Sequence, residues 1–212
     1  MKFFSLFVAM FLVVTGCGTG LYQYHSVDTE ENNQHTRTFP IYVDKSFTPK
    51  EVATINQVVE DWNHVLNGYM TIRVEPVKID HNDFKSMIPL LLTVKQTHEG
   101  LIMIGADHDD EIISDDLEGD NGTLAFVNNL GDRAHMLAVV RDRIGYKNLH
   151  KILLHEFGHS LGANHTNAVG LMYPYYGYLQ TDCVDKITAL QVANYYHLDI
   201  NHMNYCSTPN LP

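Results

Sequence analysis

The sequence predicts an α+β domain, and three observations carry that prediction. One long amphipathic segment lies near residues 48–66, several short apolar runs of strand length follow it, and helical signals return toward the C-terminus. No internal repeat interrupts that order. At 212 residues the chain suits one globular domain with a tail and has room for a sizeable core.

The elements follow in order. Ile41 to Val43 reads as a short strand. Thr48-Pro49-Lys50-Glu51 opens a helix, with Thr as cap, Pro at the first helical position and Glu placed to close a capping box. Val52, Ile55, Val59, Trp62 and Leu66 recur at helical spacing until Asn67-Gly68 stops them. Tyr69 to Val77 alternates in part between apolar and polar residues, as a half-buried strand does. Leu101 to Ile104 and Met136 to Val140 are buried-strand candidates. Between them, eight of the fourteen residues from Asp107 to Asp120 are acidic, which marks a loop, and Leu124 to Val127 is again apolar. Thr188 to Tyr196 fits a last helix.

Composition excludes several classes. Apolar residues make up 45% and charged residues 18%, so the chain is neither disordered nor collagen-like. Its single long apolar run is too short to span a bilayer, which excludes a multi-pass membrane protein. Lys plus Arg number 14 against 25 Asp plus Glu, a formal charge of -11. That is the wrong sign for gripping phosphates, so no nucleic-acid partner is expected.

The N-terminus has the layout of a secretory signal over residues 1–16: Lys2, an apolar stretch from Phe3 to Val14, then small residues before Cys17. Val14-Thr15-Gly16-Cys17 resembles the lipobox of bacterial lipoproteins. That resemblance implies acylation of Cys17 and attachment to a membrane through a lipid anchor; Gly18, in place of Asp, points to the outer membrane. The expected location is the bacterial cell envelope, or otherwise the medium. Gly18 to Arg37 is polar and aperiodic, so 17–38 reads as a flexible lipid-anchored spacer and 39–212 as the folded domain. In an exported protein the remaining cysteines, Cys183 and Cys206, are expected to pair and clip the C-terminal tail to the last helix; free thiols are the alternative in a reducing compartment.

The chemistry lies in one string. His155-Glu156-Phe157-Gly158-His159-Ser160-Leu161-Gly162-Ala163-Asn164-His165 fits the H-E-x-x-H-x-x-G-x-x-H pattern. Residues four apart stand one above another on a helix, so His155 and His159 can face one ion with Glu156 beside it. A continued helix would carry His165 off that face, so the chain must turn, and Gly162 is the residue able to adopt the left-handed conformation required. Three neutral imidazoles leave one position for water at a tetrahedral zinc ion, the mark of a catalytic site. Glu156 would take the water's proton as general base and pass it to the departing amine, which is peptide hydrolysis. With 13 His and 14 Gly in the chain, a chance match is on the order of one in ten thousand.

These residues resemble the metzincin metallopeptidases, and Gly170-Leu171-Met172-Tyr173-Pro174 looks like their Met-turn in its matrixin form. The resemblance implies a zincin fold: a twisted sheet with two long helices in an upper subdomain, and a small lower subdomain after His165 that ends in a helix. It places Met172 as an apolar floor beneath the zinc ligands. Pro174 stands where related families carry a zinc-approaching Tyr, so no tyrosine ligand is assigned; Tyr175 and Tyr176 would shape the wall of the specificity pocket. Thr123, Leu124, Ala125 and Phe126, with Val127, would form the edge strand along which a protein or peptide substrate pairs.

Some matrixin features are missing. No cysteine ahead of the domain can cap the zinc, since the one such residue is Cys17. His98, His108 and His135 are scattered and read as solvated surface histidines rather than ligands of a structural zinc. The acidic stretch could take Ca2+ but lacks EF-hand spacing. Asn121-Gly122-Thr123 and Asn164-His165-Thr166 fit the glycosylation pattern, yet a glycan on Asn164 would obstruct His165, so both read as chance. Two other functional readings remain open: a non-catalytic surface binding module stabilised by zinc, and a zinc hydrolase of a non-peptide amide.

Overall fold

The computed structural model describes residues 24–25, 37–77, 79–120, 122–145 and 147–207. The expected signal over 1–16, the lipidation site Cys17 and most of the expected spacer lie outside the described residues. In chain order the strands are β1 (Tyr24–His25), β2 (Arg37–Val43), β3 (Met70–Val74), β4 (Glu99–Ala106), β5 (Ala125–Asn129), β6 (Arg133–Val140) and β7 (Tyr205–Cys206). The helices are α1 (Pro49–Leu66), α2 (Phe84–Thr97), α3 (Arg141–Ile144), α4 (Leu149–Ser160) and α5 (Lys186–Tyr196).

Five strands form one sheet in the order β3-β2-β4-β6-β5; β5 alone runs antiparallel to its neighbour. The period of two along each strand divides the core. Leu101 and Met103 on β4, with Leu137 and Val139 on β6, pack beneath α1 and α4. Ile102, Ile104, Ala138 and Val140 point to the opposite face, where Met87, Leu90 and Val94 of α2 cover them. Central strands covered on both faces must be apolar throughout, which is why β4 reads as an unbroken hydrophobic run.

Helix α1 begins as its sequence demands. The Thr48 hydroxyl accepts the Glu51 N–H at 3.4 Å, and the Glu51 carboxylate accepts the Thr48 N–H at 2.7 Å. Trp62 is fully buried where α1 meets α4, and its indole N–H donates to the Leu154 carbonyl at 3.2 Å. Burying a side chain of this size contributes about 2–3 kcal/mol or more, so Trp62 anchors the helix that carries the zinc motif. Helix α2 is an addition to the expected elements. Its apolar spacing was masked by Pro89, which sits inside the helix and costs a backbone hydrogen bond that tertiary packing repays.

The lower part of the chain carries α5, a 3-10 turn at Ile200–His202, and β7. Cys183 and Cys206 are disulfide-bonded across a Cα separation of 6.3 Å, joining the tail to the start of α5 as expected. One expectation is corrected. Tyr24 and His25, inside the supposed spacer, pair antiparallel with Cys206 and Tyr205, and β2 begins at Arg37 rather than after residue 38. Polar composition hides such short strands, because their backbone partners lie far away in sequence.

Candidate metal centre and substrate cleft

The Asn148 side chain caps α4 by accepting the Lys151 N–H at 3.4 Å, and the helix holds His155 and His159 one turn apart. It ends just before Gly162, whose φ of +89° reverses the chain. No other residue type fits that place, since a Cβ there would also overlap the Tyr195 ring. The reversal returns His165 to the other two histidines. Its Nε2 lies 3.2 Å from His155 Nε2 and 3.1 Å from His159 Nε2.

Two backbone carbonyls set the chemistry of those nitrogens. His155 Nδ1–H donates to the Leu171 carbonyl at 2.7 Å, and His159 Nδ1–H donates to the Ala163 carbonyl at 2.9 Å. With Nδ1 protonated, each of these rings turns an unprotonated Nε2 toward the common centre. Burial pushes His155 down to about 4 and also lowers His159 and His165, so the rings stay neutral at neutral pH. The three ring nitrogens lie close enough together to serve one ion, and a borderline-soft dication such as zinc suits the set. Glu156, beside them on α4, is 7% exposed, and burial pushes its carboxyl up to about 8.

Met172 lies fully buried against α4. A Cβ at Gly158 would fall 2.6 Å from Met172 Sδ, so the glycine lets the turn press against α4. What holds the turn is a residue the sequence reasoning missed. Asp185 is 1% exposed, and its carboxylate accepts the Leu171 N–H at 2.7 Å, the Thr188 hydroxyl at 2.9 Å and the N–H groups of Ile187 and Thr188 at 2.9 and 3.2 Å. One carboxylate therefore caps α5 and holds, through its N–H, the residue whose carbonyl orients His155. Its only sequence signal was an Asp at the cap position of the last helix.

A cleft of about 1000 Å3 runs past the histidines. Thr123, Leu124, Ala125 and Phe126 line one side, and Tyr175 and Tyr176 line the other, so the structure brings every expected substrate-contacting residue to the same opening. Strand β5 is the sheet's last strand, which among the described residues leaves one backbone edge free of sheet pairing. Thr123 and Leu124 stand just ahead of it. The opposite wall is tied to α4: the Tyr176 hydroxyl accepts the Asn148 N–H at 2.8 Å, and Lys151 Nζ donates to the Gly177 carbonyl at 2.7 Å.

Two surface expectations change. His98 and His108 are exposed, but His135 is 4% exposed on β6, where its Nδ1–H donates to Asn129 Oδ1 at 2.9 Å and burial pushes it down to about 4. Within Asp107–Asp120 no three acidic groups converge among the described residues, and Asp116 and Asp120 are engaged by Asn128 and by Thr123, so calcium finds no support there. A second convergence, Asp44 with Asp80 and His81, is internally satisfied: Asp44 accepts from the His81 ring at 2.9 Å and from its N–H at 2.7 Å, while Asp80 pairs with Lys45.

Comparison with known proteins agrees with this geometry. The matrixin family model matches residues 77–191, more than half of the chain. Among solved structures the chain is similar to metalloproteinase-II from Bacteroides fragilis, with a TM-score of 0.50 and 18% sequence identity. The likeness covers 83% of this chain and 57% of that one, so it spans little more than half of the Bacteroides protein. The matrixin-like α+β fold expected from the sequence is thereby established, with α2 as a further helix. A chain carrying this family's domain over its sheet edge, its histidine helix and its Met-turn belongs to the matrixin family of zinc metallopeptidases.

Proposed function

We propose that the protein is a zinc-dependent endopeptidase in which His155, His159 and His165 hold the metal and Glu156 is the general base. The observation that carries this is the convergence of three Nε2 atoms, two of them freed for ligation by Nδ1–H bonds to backbone carbonyls. Zinc held there would polarise the scissile carbonyl and acidify the attacking water. The protein's own groups do the rest. The free edge of β5 would pair with an extended substrate backbone, and Tyr175 and Tyr176 would shape the pocket for one of its side chains. Glu156 would take the proton of the attacking water and deliver it to the leaving amine. Met172 and Asp185 would keep the ligand geometry rigid.

We further propose export with acylation of Cys17, a reading supported by the Lys2 and Phe3–Val14 layout and by the Cys183–Cys206 disulfide, which suits an oxidising compartment. The test of function uses purified protein on an unfolded protein substrate. Wild type is expected to bind about one zinc per chain and to lose cleavage on chelation. Glu156→Gln should keep the metal and lose about a hundredfold or more in turnover. Equal turnover in that variant overturns the assigned base. Loss of folding on metal removal, with no cleavage in either protein, would favour a zinc-stabilised binding module instead.

A further inference from the structure

A recess of about 550 Å3 adjoins the end of the cleft beside the β5–β6 turn, and Asp132 and Tyr195 line both spaces. Arg37, His98 and Arg133 also line the recess. The chain has five arginines and far more acids than bases, so its arginines should find partners easily. Four do. Arg37 pairs with Glu99, Arg73 with Glu75 and Arg141 with Glu51, while Arg143 donates to the carbonyls of Thr123 and Asp120.

Arg133 is the exception: among the described residues its guanidinium has no ion pair or hydrogen bond. Two tyrosine rings hold it instead, with the guanidinium carbon 5.7 Å from the Tyr195 ring centre and 5.1 Å from that of Tyr196. These ring contacts hold the guanidinium and, among the described residues, leave its N–H groups without an acceptor, so the fork can receive a carboxylate in two parallel hydrogen bonds. The nearby acids do not use it. Glu99 is engaged by Arg37, and Asp132 is within ion-pair reach of neither arginine among the described residues. The Tyr195 hydroxyl donates to the Asp132 carbonyl at 2.5 Å, which fixes the ring that supports Arg133 against the turn at the cleft's end.

Resting on the peptidase reading for the direction of the cleft, we propose that Arg133 forms a subsite for a substrate carboxylate, an Asp or Glu side chain several residues from the cut on the side of the β5–β6 turn. A chain of net charge -11 repels acidic segments at long range, so an unpaired cation beside the cleft would select acidic residues at one position.

The test uses paired fluorescent peptides, identical except for Glu or Gln at each position in turn, bound to zinc-loaded Glu156→Gln protein. Binding needs no turnover, so it is read whether or not cleavage occurs. Glu is expected to tighten binding about fivefold to tenfold at a single position, an effect that weakens with added salt. Arg133→Gln should reduce that ratio to about one and Arg133→Lys should keep part of it. Arg133→Glu should favour a Lys peptide at the same position, a reversal that misfolding does not produce. A library cut by wild-type protein should show the same position enriched in Asp and Glu. Equal binding of the Glu and Gln peptides at every position, or a preference that survives Arg133→Gln, overturns the subsite. Failure of wild type to cut any peptide, with the binding preference intact, overturns the peptidase reading and leaves the subsite standing.

Discussion

Replacing Asp185 by Ala tests how the Met-turn and the metal centre are coupled. The carboxylate accepts four donors and is almost completely buried. Truncation strands the Leu171 N–H and the Thr188 hydroxyl, at about 1–3 kcal/mol for each buried donor, and removes an N-cap worth about 1 kcal/mol. Because the donors share one acceptor their costs do not simply add, and about 3–5 kcal/mol is the expected loss. That lies within the 5–15 kcal/mol typical of a domain, so most of the protein should still fold. Urea denaturation of the metal-free protein measures the loss. The functional consequence is separate: with its N–H released, Leu171 no longer holds its carbonyl firmly against His155 Nδ1, so zinc affinity by chelator competition should fall about tenfold to a hundredfold. Asp185→Asn, which keeps the shape and one acceptor oxygen, should lie between the two proteins in both measurements. A destabilisation below about 1 kcal/mol, or unchanged zinc affinity in the Ala variant, would refute the route from Asp185 through Leu171 to His155.

Two further predictions concern stability. Joint replacement of Cys183 and Cys206 by Ser opens a loop closed over a sequence separation of 23, so unfolding of the metal-free protein should require about 3 kcal/mol less; an unchanged denaturation midpoint would show that the bridge adds nothing. His135 predicts a pH dependence of known sign. Its folded value of about 4 lies below the ordinary value of 6.5, so the unfolded chain takes up the proton first and stability falls as pH drops from about 6.5 toward 4. Between pH 7 and pH 4.5 this one group costs about 2–3 kcal/mol. The urea-derived loss across that interval should shrink by about the same amount in His135→Gln, whereas an equal loss in both proteins would show that the ring is solvated after all.

The zinc string was legible because its chemistry depends on local spacing. Two histidines four apart on a helix must share a face, and a glycine after the helix must allow the reversal, whatever the remainder of the fold does. The capping box at Thr48–Glu51, the long first helix and the alternating strands were readable for the same reason: hydrogen bonds and periodicity within a few residues set them. The disulfide was legible because two cysteines remain after Cys17 in a chain whose N-terminus has the layout of a secretory signal.

Tertiary structure decided what depends on partners distant in sequence. It made Asp185 more than a helix cap, by bringing the Leu171 peptide onto its carboxylate, and it buried His135 opposite Asn129 on the neighbouring strand. It turned two residues of a polar tract into a strand paired with Cys206 and Tyr205, and it left Arg133 between two tyrosines with no acid in reach among the described residues. Composition reports how many acids and bases a chain has. Only the packing of strands and helices determines which of them meet, because burial and hydrogen-bond pairing are properties of contacts formed across the fold.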